Sequence, residues 1–180
     1  MQNLIEFDPS LVRECIGSGI DGKTYSYNHN YILKITNRYY LREYQNEFID
    51  FLSYIQKLNS PHLVKIVYIN PQQNGSVYYI MERLNKLNYD EEYMVEDLDR
   101  VLYARSNKKV KFEDPRFQEL ERFLRTFKYK SDDFAYFNVM KNNANQIVVI
   151  DLEQFFYGGE QADLYRTRDR GSHYTFREDD

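Results

Sequence analysis

Asp133, Asn138 and Asp151 are the residues whose types and spacing could do chemistry. They lie in the run S-D-D-F-A-Y-F-N-V-M-K-N-N-A-N-Q-I-V-V-I-D-L-E, residues 131–153. Asn142, Asn143, Ala144 and Asn145 separate two apolar stretches there, which is a hairpin signal. An Asp and an Asn enter this hairpin and a second Asp leaves it, so the three polar groups share one end of a two-strand unit. Two carboxylates and a carboxamide oxygen, with no His or Cys among them, suit a hard cation such as Mg²⁺ rather than zinc. Taken alone, an ordinary hairpin with polar turn residues reads the same way.

Two further features lie upstream. Gly17, Gly19 and Gly22 form G-x-G-x-x-G, followed by β-rich residues and not by a helix. That order argues against a dinucleotide-binding Rossmann unit, which needs strand, loop, helix. It fits a hairpin lid whose backbone comes close to phosphates because no Cβ intervenes; a flexible turn is the commoner explanation of such a motif. Lys34 follows in Y-I-L-K-I, where strand alternation turns it away from the face of its neighbours. An exposed strand lysine gives the same pattern.

In order and in the spacing of the last three, these residues resemble the protein-kinase-like superfamily. The resemblance implies that Asp133 is the catalytic base and that Asn138 and Asp151 are metal ligands. It implies that Gly17, Gly19 and Gly22 cover the phosphates of ATP and that Lys34 pairs with the α- and β-phosphates. Glu47, or Glu43 in reserve, takes the part of the helix acid that reaches the lysine. Met81 borders the back of the nucleotide pocket, and Glu82 and Leu84 offer backbone groups to the base. The chain departs from the family in having Ser131-Asp132 before the base instead of His-Arg, and Asp151-Leu152-Glu153 instead of D-F-G. The latter looks more like the aminoglycoside and choline phosphotransferase branches. No Lys or Arg lies between Asp133 and Asn138, and no Ala-Pro-Glu follows.

The elements that must position these groups follow from periodicity. Strands are expected over residues 11–16, 24–27, 31–36, 62–69 and 76–84. Apolar residues at 3–4 spacing predict a helix over residues 41–58, ended by Asn59-Ser60-Pro61. Glu47 flanks its apolar stripe. A polar helix is expected over residues 88–106, and another starts at Asp114-Pro115 with Phe117, Leu120, Phe123, Leu124 and Phe127 on its core face. The fold class implied is α+β: a two-lobe, kinase-like fold with a five-stranded antiparallel sheet and one helix in the first lobe, and a reduced, mainly helical second lobe. The expected divisions are residues 1–84, 85–160 and a charged tail, 161–180. So compact a version resembles viral, especially phage, kinase-like proteins.

Composition bounds the partners. The 180 residues carry 24 Lys and Arg against 28 Asp and Glu, for a net charge of −4, which does not point to a nucleic-acid surface. A single Cys excludes an internal disulfide and suits a reducing compartment. The N-terminus lacks the basic start and apolar run of a signal peptide, and no stretch is apolar enough to span a membrane. A cytoplasmic location is expected, that of the host if the source is viral. The resemblance implies ATP and Mg²⁺ as ligands and phosphoryl transfer to a hydroxyl, of a protein for preference. The alternatives are a non-catalytic kinase-like binding module and transfer of AMP. Phe117, Phe123, Phe127, Phe134, Phe137, Phe155 and Phe156 are many aromatics for a reduced lobe. Either the 88–106 helix and the tail cover them or a second copy or protein partner does, and the charged tail favours a partner.

Overall fold

In the computed structural model the described residues are 3–19, 22–36, 44–102, 112–126 and 136–152. Five strands, β1 (Cys15–Gly19), β2 (Gly22–Ser26), β3 (Tyr31–Thr36), β4 (Ile66–Pro71) and β5 (Val77–Glu82), form one antiparallel sheet in the order β1-β2-β3-β5-β4. Helix α1 (Gln45–Leu58) lies between β3 and β4. Helices α2 (Tyr89–Leu102) and α3 (Pro115–Thr126) follow, then a 3-10 turn (Tyr136–Asn138) and the hairpin of β6 (Val139–Lys141) and β7 (Ile147–Val149). The protein is thus α+β, with the element order that the kinase-like resemblance implies.

Strand alternation gives the sheet two different faces. Leu33 and Ile80 are buried on one side with Tyr27, Val67 and Tyr68. Residues at the N-terminus cover that side: Ile5, Phe7, Leu11 and Val12 pack against it, and Phe7 stacks on Tyr27 and Tyr68 with centroids 6.0 and 5.6 Å away. The Tyr27 hydroxyl accepts from the Asp8 N–H at 2.8 Å, so a buried Tyr keeps its polar end satisfied. This explains why the strand expected at residues 11–16 begins only at Cys15. Leu11 belongs to a 3-10 turn (Pro9–Leu11) capped by Asp8, and the strand runs on into the glycines.

The other side of the sheet faces α1 and the remainder of the chain. Phe48, Leu52 and Ile55 of α1 pack there with Tyr79 and Met81, in one core that continues through Val95, Leu98, Phe117, Leu120, Val139 and Val148 to Leu152. Asn59 closes α1 in the left-handed conformation at φ 46°, and its N–H donates to the Ile55 carbonyl. Phe117 is fully buried and Phe123 packs against the same core, so the chain itself covers this much of the α3 apolar face. Phe127, Phe134, Phe155 and Phe156, with the tail, lie outside the described residues.

β4 starts at Ile66, later than the expected residue 62, because the preceding residues bond to the hairpin instead. The Val149 N–H donates to the His62 carbonyl at 3.0 Å, and the Val64 N–H donates to the Val149 carbonyl at 3.1 Å. His62 is buried, with Nδ1 3.0 Å from the Ile147 carbonyl and its ring on Phe123. On the other edge of the hairpin, Asn85 and Lys141 exchange both backbone hydrogen bonds, at 2.8 and 2.9 Å. The short hairpin is therefore clamped between the end of α1 and the segment that follows β5.

Candidate functional site

β3 carries the first functional side chain. Ile32 and Lys34 share one face, and the register sets Ile32 opposite Met81 and Lys34 opposite Thr24 and Tyr79. Two residues along a strand is roughly 7 Å, so Lys34 stands that far beyond the Ile32–Met81 pair.

The hairpin carries the next two. Asn142 opens its turn, the Asn145 N–H donates to the Asn142 carbonyl at 2.9 Å, and Asn145 takes the left-handed conformation at φ 61°. That sequence of a tight turn followed by a left-handed residue suits Asn. At the opposite end the Ile150 N–H donates to the Asn138 carbonyl at 3.0 Å, which joins the positions flanking the site. Asn138 is 9% exposed. Leu152, fully buried, anchors the chain just after Asp151.

These elements enclose one cleft. A cavity of about 620 Å³ is lined by Gly17, Ser18, Gly19 and Gly22 of the β1–β2 hairpin, by Lys34, by Met81, Arg83 and Leu84, and by Asn138 and Asp151. Ile16, Thr24, Ile32, Met140 and Ile150 complete the wall. That size is within the range of small-molecule sites, and apolar walls with a few convergent polar groups are their usual composition. Lys34 Nζ lies 3.5 Å from Asp151 Oδ1, both side chains mostly buried.

The three glycines differ in what the fold asks of them. Gly22 has φ 149°, and a Cβ there would lie 2.0 Å from the Ile35 carbonyl oxygen, so the strand pairing itself requires glycine. A Cβ on Gly17 would make only ordinary contact with Thr24 at 3.7 Å, and one on Gly19 would meet nothing within 4 Å. The packing of the protein does not explain those two.

One expectation from the sequence changes. Glu47 is exposed in the first turn of α1 and does not line the cleft. The buried stripe of Phe48, Leu52 and Ile55 turns Glu47 aside, and Lys34 pairs with Asp151. Glu43 lies outside the described residues. Glu82 is not in the cleft wall: its N–H donates to the Lys65 carbonyl and its carboxylate accepts from the Lys65 N–H, both at 3.0 Å, bonds that do not involve its carbonyl, while Leu84 lines the cleft. Arg83 takes the cleft position beside it, with Nη2 donating to Ser26 Oγ at 2.6 Å. Arg83, Ile32, Met140 and Ile150 were open to discovery through alternation, since each sits next to or two residues from a residue already singled out. Asp133, the expected base, lies outside the described residues.

Among the described residues no group of three or more His, Cys, Asp or Glu could hold a metal ion. Asn138 and Asp151 bring oxygen donors only, which fits Mg²⁺, an ion commonly held by one or two carboxylates with substrate phosphates and water. No helix among the described residues is long and apolar enough to cross a membrane.

No protein-family model matches the sequence, and no curated protein matches it. Among solved structures, the chain is similar to the PknI kinase domain of Mycobacterium tuberculosis, in a cysteine-to-alanine variant. Identity is 13%, the TM-score is 0.48, and the match covers 86% of this chain and 63% of that one. The chain therefore spans less than two thirds of that domain.

Proposed function

We propose that the cleft binds ATP with Mg²⁺ and that the protein transfers a phosphoryl group to a hydroxyl, that of a protein for preference. One observation carries this reading: Gly17, Gly19, Lys34, Met81, Leu84, Asn138 and Asp151, far apart in sequence, line a single cavity. In this reading the apolar wall of Ile32, Met81, Leu84 and Met140 takes the base. Lys34, further along β3, bonds phosphate oxygens. The open space at Gly19, with only ordinary contact at Gly17, lets backbone N–H groups approach the phosphates. Asn138 and Asp151 would hold the metal, which would supply neutralising charge to the transferred group. Asp133 accepts the proton of the attacking hydroxyl. Rate acceleration then comes mainly from positioning and charge compensation.

Incubation with Mg²⁺ and ATP labelled at the γ- or the α-phosphate tests the reaction class. Label in an acceptor from the γ position alone supports phosphoryl transfer. Label from the α position means AMP transfer instead. Binding without transfer of either label means a non-catalytic module.

A further inference from the structure

We propose that Glu91 is a positioning residue for the metal-ligand hairpin: its buried carboxylate fixes the turn end of that hairpin to α2 and α3. The proposal rests on the reading of Asn138 and Asp151 as metal ligands.

Glu91 is 3% exposed, yet it is a carboxylate far from the cleft wall. Both oxygens are fully used. Oε1 accepts from Arg116 Nη1 at 2.8 Å, and Oε2 accepts from Lys141 Nζ at 2.7 Å and from the Asn88 N–H at 2.8 Å. Asn88 Oδ1 accepts in return from the Glu91 N–H at 2.9 Å, a reciprocal cap that orients the carboxylate. Arg116 continues to the hairpin turn, where Nη1 lies 3.0 Å from Asn145 Oδ1 and 3.3 Å from the Asn145 carbonyl. Asp114 holds the rest of the guanidinium at 2.6 to 3.1 Å. One carboxylate thus grips β6 directly through Lys141 and the turn before β7 through Arg116.

The hairpin has only three residue pairs, Val139–Val149, Met140–Val148 and Lys141–Ile147. A two-stranded unit that short does not hold its own shape in water, so its geometry is imposed by what surrounds it. Asn138 precedes β6 immediately, and its carbonyl is bonded to the Ile150 N–H beside Asp151. A shift at Lys141 is therefore passed along this short ladder to both candidate ligands. Stability alone is a weak reason to bury such charges, because apolar residues of similar volume commonly serve as well. Groups that orient metal ligands from behind, by contrast, typically change metal affinity about 10- to 100-fold when removed.

The test uses the full chain with Glu91→Gln, which keeps shape and removes charge. Amide hydrogen exchange is measured without metal or nucleotide, and Mg²⁺ is titrated at saturating ATP. Exchange of the Ile150 N–H is expected to speed up about tenfold more than that of Tyr79 and Ile80 in the sheet. The Mg²⁺ concentration at half-saturation is expected to rise about tenfold, with the metal-free affinity for ATP unchanged. Unchanged Ile150 exchange overturns the proposal. So does equal acceleration at Tyr79, Ile80 and Ile150, which marks Glu91 as a stabilising residue only. If Glu91→Gln does not fold, Lys141→Met, which keeps the stem and loses the ammonium, is read by the same criteria. If the unaltered protein binds no ATP, the nucleotide reading fails while the exchange arm still decides the coupling.

Discussion

Lys34 Nζ sits 3.5 Å from Asp151 Oδ1, a contact between residues 117 positions apart that joins the sheet to the hairpin. Both groups line the cleft, and in the proposed reading they meet at its phosphate and metal end. Their roles there are separable. Asp151→Asn should abolish the Mg²⁺ dependence of ATP binding, because a neutral amide replaces a carboxylate poorly on that ion. Lys34→Met should weaken ATP with or without Mg²⁺. Calorimetric titration of both variants checks this, and an equal effect on metal-free binding from both would contradict it.

The glycines should part company. Gly22→Ala is expected to destabilise the fold by about 1–3 kcal/mol or more, since a Cβ would overlap the Ile35 carbonyl. Gly19→Ala should leave stability within about 0.5 kcal/mol, because the site is open, and should weaken nucleotide binding. Urea unfolding and ATP titration of the two variants separate the outcomes.

Acid should loosen the second half of the chain. Burial works against the Glu91 charge, but hydrogen bonds from Lys141, the Asn88 N–H and Arg116 outweigh it and hold the carboxyl below its ordinary value of 4.5. Hydrogen bonds from the Arg116 side chain likewise hold Asp114 below 3.8, against the opposing effect of burial. A carboxyl whose folded value is depressed adds stability that is complete above its unfolded value and is lost as pH falls through the folded one. Stability should therefore be flat from neutral pH to about 5 and fall below about 4.5. Glu91→Gln should be less stable at pH 7 by about 1–3 kcal/mol and should show a shallower acid slope. Chemical denaturation at several pH values measures both.

The N-terminal residues should matter to the sheet. Phe7→Ala removes a ring stacked on Tyr27 and Tyr68 and should cost about 1–3 kcal/mol. A thermal midpoint equal to that of the unaltered protein would show that residues 3–12 do not cover that face.

Much of this was legible because it depends on period and spacing. Alternation placed Lys34 opposite in facing to Leu33, the Asn-rich turn marked the last hairpin, and Asp114-Pro115 marked the start of α3. What stayed hidden depends on long-range packing. The cover that Ile5, Phe7 and Leu11 provide for the outer sheet face has no local signal. Neither has the capture of residues 62–64 by the hairpin, which shortened β4. Glu47 lay beside the apolar stripe of α1 in sequence, but a small rotation about the helix axis separates a buried edge from an exposed one. Glu91, Arg116 and Lys141 carry no local signal in sequence, and only the fold brings them together.

Binding of Mg·ATP in the cleft between the sheet and the hairpin is measured by the shift in thermal or urea unfolding with and without that ligand. A ligand that binds only the folded state adds about 2.7 kcal/mol at a hundredfold excess over its dissociation constant. A shift of that order is expected with Mg·ATP, and its loss in Asp151→Asn under the same conditions. A folded sample that shows no shift at millimolar nucleotide would contradict it.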